Sequence, residues 1–315
     1  MTTSGTYNFS VSRDTILRVA ALNLNKLDEV EGLSPQETTD MTTLLNMLTK
    51  QWMGKTDFAP GLKVFSRKHG HLMLSSLVNN YTLNSTTPGW TNNLVQSNTN
   101  LTVSSGASVQ VVSSVGMTIG DNFGVDLDAG YIYWTKIQNI VGNVITITGA
   151  IPSQASSGAA IYDYTVGAQQ PLDIETAFLR DSTNSDTPLR VYTIEEYDSL
   201  PNKAQKTNLS DPTGIYYEYQ NGQGTLYTDV FCSDGTKHIC LSYMEATQDF
   251  NNPLDTPYYP QQWYLPLALE LSKLCVGMFD AIWTTTHEEN RKTALAIAQH
   301  KDPEVTRQYF QCRDD

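Results

Sequence analysis

The sequence predicts an α+β chain. Helices at its two ends pack into one helical body, which carries an inserted small β-sandwich or barrel module and a further β-hairpin region. Three observations predict it. Apolar residues recur at helical spacing near the N-terminus and again after Pro260. Short β-branched runs separated by Gly, Asn, Asp and Ser turns fill the middle. The 315 residues, 40% of them hydrophobic, suffice to bury a sizeable core. The expected segments are an N-terminal helical segment (1–94), the inserted β module (95–165), a second β region (166–259), and the C-terminal helices with a tail (260–315).

The first helix starts after Ser12 and carries Ile16, Leu17, Ala20, Leu24 and Leu27 on one face. The second has a capping box, Ser34 with Glu37, and Pro35 at the first helical position. Its stripe is Met41, Leu44, Leu45, Leu48 and Trp52, with Gly54 placed to end it. The β module reads as runs at 101–103, 109–112, 123–127, 132–137, 144–147 and 159–164, with sharp turns at Asp128-Ala129-Gly130 and Gly142-Asn143. A linker with Pro171 and Pro188 follows. Then come strand-like runs at 214–219 and 224–232, the latter expected to form a hairpin with 237–244 through Asp234-Gly235. The last helices carry Leu267, Ala268, Leu271, Leu274, Cys275 and Met278, and then Ala294, Leu295 and Ala298 behind a Thr286–Glu289 cap. Asp302-Pro303 opens the tail.

Composition narrows function. With 33 acidic against 20 basic residues the formal charge is −13, which argues against a sequence-reading DNA-binding domain but does not exclude a protein that lets DNA pass without sticking to it. No run of apolar residues is long enough to span a membrane. Met1 to Ser10 lacks the basic and apolar regions expected of a secretory signal. The spacing of Cys232, Cys240, Cys275 and Cys312, with no Cys-x-x-Cys pair, suits neither a zinc ribbon nor a disulfide framework, and reduced cysteines are expected.

The motifs that look chemical have simpler readings. His287-Glu288-Glu289-Asn290-Arg291 has Arg291 where a zinc protease needs its second histidine. Asp126, Asp128 and Gly130, with Asp121 upstream, lack the remaining ligands of a calcium loop and suit a β-turn. His69-Gly70-His71 has no acidic or thiol neighbour in the sequence. Asn221-Gly222 ahead of Gly224 reads as a turn and not as a dinucleotide fingerprint. Glu195, Glu196 and Asp198 offer carboxylates, but no pair stands out. The expectation is a structural or binding protein and not an enzyme, with no cofactor and no metal.

Three stretches resemble the head-to-tail adaptor family of short-tailed bacteriophages. The first joins the helix around Ala20 and Leu24 to the second helix, whose Leu45, Leu48 and Trp52 match an ending of the form L-x-x-M/L-x-x-x-W. The second, Gly120 to Gly130 and Trp134 to Ile137, is similar to an insertion in longer members. The third runs from Glu196-Tyr197-Asp198 through Ile215-Tyr216-Tyr217 to Asp255-Thr256-Pro257-Tyr258-Tyr259-Pro260-Gln261-Gln262-Trp263, and its end resembles the family's D-x-P-x-x-P-x-x-W. Residues from about Leu172 to Thr193 match nothing.

The resemblance implies a virion protein of the tail or neck, made in the host cytoplasm. It implies a homo-oligomeric ring, a dodecamer, that binds the portal protein and extends or closes the DNA channel. It also implies contact with downstream nozzle or fibre proteins, passage of double-stranded DNA without sequence-specific binding, and no membrane partner. Tyr309, Phe310 and Arg313 in the tail are the expected portal-docking residues, since aromatic anchors and arginine dominate interface energies. Two other functions compete: a peptidoglycan hydrolase of the tail, and a glycan-binding tail component using Tyr131, Tyr133 and Trp134.

Overall fold

A computed structural model describes residues 5–27, 32–56, 59–60, 64–203, 205–207, 209–233 and 235–300. In chain order it runs through helices α1 (Arg13–Asn23) and α2 (Pro35–Trp52), and short strands β1 (Lys55–Thr56) and β2 (Ala59–Pro60). Next come β3 (Arg67–Met73), β4 (Asn80–Leu83), β5 (Trp90–Thr91), β6 (Val95–Asn98) and β7 (Gly106–Gln110). They are followed by β8 (Asn122–Asp126), β9 (Ile132–Val141), β10 (Val144–Ile151) and β11 (Ala160–Tyr164). β12 (Pro171–Arg180), β13 (Asp186–Val191), α3 (Ile194–Asp198), β14 (Gly214–Gln220), β15 (Gln223–Thr228) and β16 (His238–Glu245) complete the β region, before α4 (Tyr264–Cys275) and α5 (Thr285–His300). The chain divides into two compact units, one of Met1–Ser66 with Thr247–Asp315 and one of Arg67–Ala246.

This overturns the expected helical body with a small β insertion. Helix accounts for only 24% of the described residues, and two curled or near-barrel sheets of eight and six strands dominate. The excess of strand comes from two stretches. Residues 67–91 supply β3, β4 and β5 within what reads as a helical segment, and the supposed linker at 171–191 supplies β12 and β13. β12 hides its period because bulges between Pro171 and Asp173 and between Ile174 and Thr176 interrupt the alternation. Its buried residues Pro171, Ile174, Ala177 and Leu179 are therefore unevenly spaced. The hairpin across Asp234-Gly235 does not form either, and Asp234 itself lies outside the described residues. β15 pairs with β14 and β4, while β16 pairs with β12 and β3.

In the helical unit the expected N-terminal caps of α1 and α2 form. The Ser12 side chain accepts from the Thr15 amide, and Ser34 and Glu37 exchange both capping-box bonds at 3.2 and 2.8 Å. Gly54 does not take the left-handed conformation; its amide bonds the Gln51 carbonyl at 3.0 Å and closes a tight last turn. The cap of α5 lies two residues before the expected one, where Thr284 and His287 exchange backbone-to-side-chain bonds of 3.3 Å each. Ile16, Leu17, Met41, Leu45, Leu48, Leu267 and Leu271 build a single core. Leu274 and Met278, expected on the buried face of the C-terminal helix, are 45% and 37% exposed.

In the β unit the six-stranded sheet runs β6-β11-β8-β9-β10-β7. A bridge between Thr99 and Val111, with Asn100 N–H to Gln110 O at 2.8 Å and Val112 N–H to Asn98 O at 2.9 Å, brings its two edge strands together. Val109, Phe123, Val125, Ile145, Ile147 and Ile161 fill the interior. The turns at 128–130 and 142–143 occur where the sequence places them, whereas 101–103 forms only a bridge from Val103 to Ala155. The eight-stranded sheet runs β4-β15-β14-β13-β12-β16-β3-β5 and is antiparallel except where β13 meets β14.

Candidate functional site

β16 is the central positioning element of the β unit, and its two faces do different work. One face carries Ile239, Leu241 and Tyr243 into a core shared with Leu72, Trp90, Ala177 and Leu179. On the other face the register sets Cys240 opposite His71 of β3 and His238 opposite Arg180 of β12. Pairing thus gives His71 a thiol and an imidazole that are nearly 170 residues away in sequence. One ligand-capable atom from each of His71, His238 and Cys240 lies within 4.8 Å of the other two. The Cys240 thiol and His71 Nδ1 are hydrogen-bonded at 3.4 Å, and the two imidazole rings stand 5.4 Å apart.

His238 and Cys240 are buried, and His71 is partly open. Burial, helped by the neighbouring His71 and Arg180, pushes His238 down to about 4 and keeps it neutral. Burial also lowers His71 and raises Cys240 to about 11. The thiol and imidazole therefore sit together as neutral groups, unlike the thiolate–imidazolium pair of a cysteine nucleophile. Gln96 of β6 is hydrogen-bonded to His238 Nδ1 at 3.3 Å, and Arg180 is held by Asp186 through bonds of 2.7 and 2.9 Å. His69 lies outside the cluster, with its Nδ1 bonded to Ser242 Oγ at 3.1 Å.

Gly70, between the two histidines, faces the opposite side, where the Trp90 indole lies over it. A Cβ there would stand 2.1 Å from the Trp90 ring, which is itself fully buried and bonded through Nε1 to the Gln169 carbonyl at 3.0 Å. Gly70→Ala must displace this ring, and we expect it to destabilise the β unit by about 1–3 kcal/mol or more. Chemical denaturation of the variant tests this; an unchanged midpoint would mean that the indole moves aside freely.

The other sequence motifs resolve into structural roles. Glu288 accepts from Arg291 at 2.8 Å, Lys273 at 3.1 Å and Trp283 Nε1 at 3.1 Å, and this network holds its carboxyl far below the usual range. Arg291 also pairs with Glu270. Asp128 accepts from Ser156 and Gln154, and Asp121 from the Thr118 amide and hydroxyl, so the suspected calcium loop instead closes two turns. Glu196 completes a capping box with Thr193 and pairs with Arg190; Asp198 pairs with Lys203. Trp134 packs edge-on to Tyr164 with ring centroids 5.5 Å apart, and its ring lies over Gly124. Tyr131 is exposed, and Tyr133 and Trp134 are partly buried. Cys232, Cys240 and Cys275 form no disulfide among the described residues, and Cys312 lies outside them.

The tail residues Tyr309, Phe310 and Arg313 also lie outside the described residues. The helical unit, however, brings together two residues of the family-like motifs. Trp52, from the end of α2, and Trp263, at the start of α4, meet with ring centroids 5.5 Å apart, and Tyr259 joins them at 5.9 Å from Trp52. The same unit leaves aliphatic side chains in solvent: Leu22 is 47%, Ile282 83% and Ile297 54% exposed. No helix among the described residues is long and apolar enough to cross a membrane. No protein-family model and no curated protein matches the chain.

Proposed function

We propose that this protein is a structural virion component, an adaptor that forms a ring between the portal and the tail of a short-tailed phage. The observation that carries the reading is the meeting of Trp52 and Trp263. The two motifs that resemble the adaptor family come from opposite ends of the chain, and their tryptophans pack edge-on in one core. Two further features support it. Exposed aliphatic residues on α1 and α5 and in the loop before α5 give the helical unit surfaces that neighbouring subunits can cover. The excess of 13 negative charges disfavours retention of passing DNA, since phosphate binding needs clustered cations.

Rings grow by heterologous contacts, so the free chain is expected to remain monomeric until a preformed portal ring templates it. The tail with Tyr309, Phe310 and Arg313 is the proposed docking element. Electron microscopy and sedimentation of the purified chain, with and without portal, test both points. The full-length chain should add a ring to the portal, and a chain lacking residues 307–315 should keep its circular dichroism but fail to add. Assembly of the truncated chain at the full-length level removes the tail from the docking role. Failure of the full-length chain to bind any portal of its host's phages removes the adaptor reading itself.

A further inference from the structure

We propose that His71, His238 and Cys240 form a zinc site in the β unit, independent of the assembly function. The donor types are the first argument. Two imidazoles and one thiol suit a borderline-soft ion, and the cluster contains no carboxylate of the kind that calcium or magnesium requires. Asp186 of β13, whose charge reaches His238, is engaged by Arg180 of β12 through two hydrogen bonds, so that pair adds no net charge beside the ion.

Spacing is the second argument. Ligand atoms on a tetrahedral zinc with Zn–N near 2.0 Å and Zn–S near 2.3 Å stand about 3.3–3.6 Å apart. The Cys240 sulfur and His71 Nδ1 are already 3.4 Å apart, and all three donor atoms fall within 4.8 Å. Small side-chain rotations close the remainder. The backbone need not move, because β3 and β16 are joined in continuous register from His238↔Met73 to Met244↔Arg67.

The surroundings are the third argument. His238 and Cys240 are 1% and 4% exposed, which shields a thiolate–metal bond. The Gln96 side-chain amide is hydrogen-bonded to His238 Nδ1 at 3.3 Å and orients the ring within the cluster. His71 is the partly open member, so solvent reaches the cluster on its side and can supply a fourth ligand. Three protein ligands with one open position is the arrangement of an exchangeable zinc site. Bound there, the ion would cross-link β3 to β16, the two strands that carry the donors, and would stabilise the β unit in proportion to its occupancy.

Cobalt(II) is the probe, because thiolate ligation to it gives a charge-transfer absorption that imidazole ligation alone does not. Titration of the intact chain should saturate at one Co2+ per molecule with that absorption, and Zn2+ should displace it. Cys240→Ser should abolish the absorption, and Cys275→Ser, in the separate helical unit, should leave it unchanged. His71→Phe, which keeps the ring volume, should weaken Zn2+ binding by more than roughly tenfold, beyond the smallest effects of outer-sphere changes. Zn2+ should raise the unfolding temperature of the wild-type β unit and not that of Cys240→Ser. A cobalt complex of the wild-type chain without thiolate absorption overturns the proposal whether or not the variants fold. Absorption that survives Cys240→Ser also overturns it.

Discussion

Trp52→Ala is expected to destabilise the helical unit by ~3–5 kcal/mol, the range for truncating a large buried aromatic. Trp52 is 4% exposed at the last position of α2. It meets Trp263 and Tyr259 edge-on, and Tyr259 in turn packs against Phe65 at 5.4 Å. Alanine leaves a cavity bordered by two aromatic rings and also removes two edge-to-face contacts, each worth about 0.5–1.5 kcal/mol beyond burial. The surrounding ring planes are fixed by one another, so the site cannot collapse readily. Met47→Ala, on the same helix but 62% exposed, is the internal control and should change stability by less than about 0.5 kcal/mol. Chemical denaturation followed by far-ultraviolet circular dichroism separates the two. A loss below about 1 kcal/mol for Trp52→Ala would show that the tryptophan cluster does not hold the unit together. It would also weaken the adaptor reading, which rests on the same pair of rings.

What could be read from the sequence follows from how local each signal is. Ser12, Ser34 and Glu37 act within one helical turn, and their hydrogen bonds form as their spacing predicts. The stripe of Met41, Leu45, Leu48 and Trp52 repeats over about three turns, long enough for the period to dominate. In the barrel, Gly142 takes φ +58° in the turn between β9 and β10, and the local residue choice shows it. β3 gives no such signal. Its sequence, Arg-Lys-His-Gly-His-Leu-Met, places Gly70 in the core, so the apolar alternation that marks a strand is missing. The space where a side chain would sit is filled by Trp90, which the sequence places on no recognisable strand. β16 misleads in another way. It is buried on both faces as an interior strand, and the Asp-Gly pair before it suggests a neighbour that it does not have. The His71–Cys240 pairing depends on that misread neighbour. A metal-ligand pattern therefore could not be found by spacing, and the clue available was a histidine pair on a strand awaiting a partner.

The β unit also contains a buried carboxyl that should set its pH dependence. Alternation along β11 puts Asp163 on the same face as Ile161, whose side chain lies in the barrel core. Asp163 is 0% exposed, and neither of its oxygens has a hydrogen-bond donor. Burial, and then repulsion from the Asp121 carboxylate, pushes it up to about 7. Between roughly pH 4 and 7 the folded chain holds a proton that the unfolded chain has released, so this group makes the fold less stable as pH rises through that window. Above pH 7 the full cost is present. Asp163→Asn, similar in shape and uncharged, should then stabilise the β unit by roughly 3–4 kcal/mol at pH 8 and by much less at pH 5. Its amide can also donate to Asp121, whose Oδ2 already accepts from Thr118. His238 acts in the opposite sense over an overlapping window. Because the fold keeps it neutral, it disfavours the folded state as pH falls below the ordinary histidine range. Glu245, raised by burial, acts in the same sense as Asp163. Both contributions are common to wild type and variant, so the difference between the two denaturation midpoints at pH 5, 6.5 and 8 isolates Asp163. A variant that is no more stable than wild type at pH 8, or whose advantage does not shrink on acidification, would show that Asp163 is solvated or paired in the folded barrel.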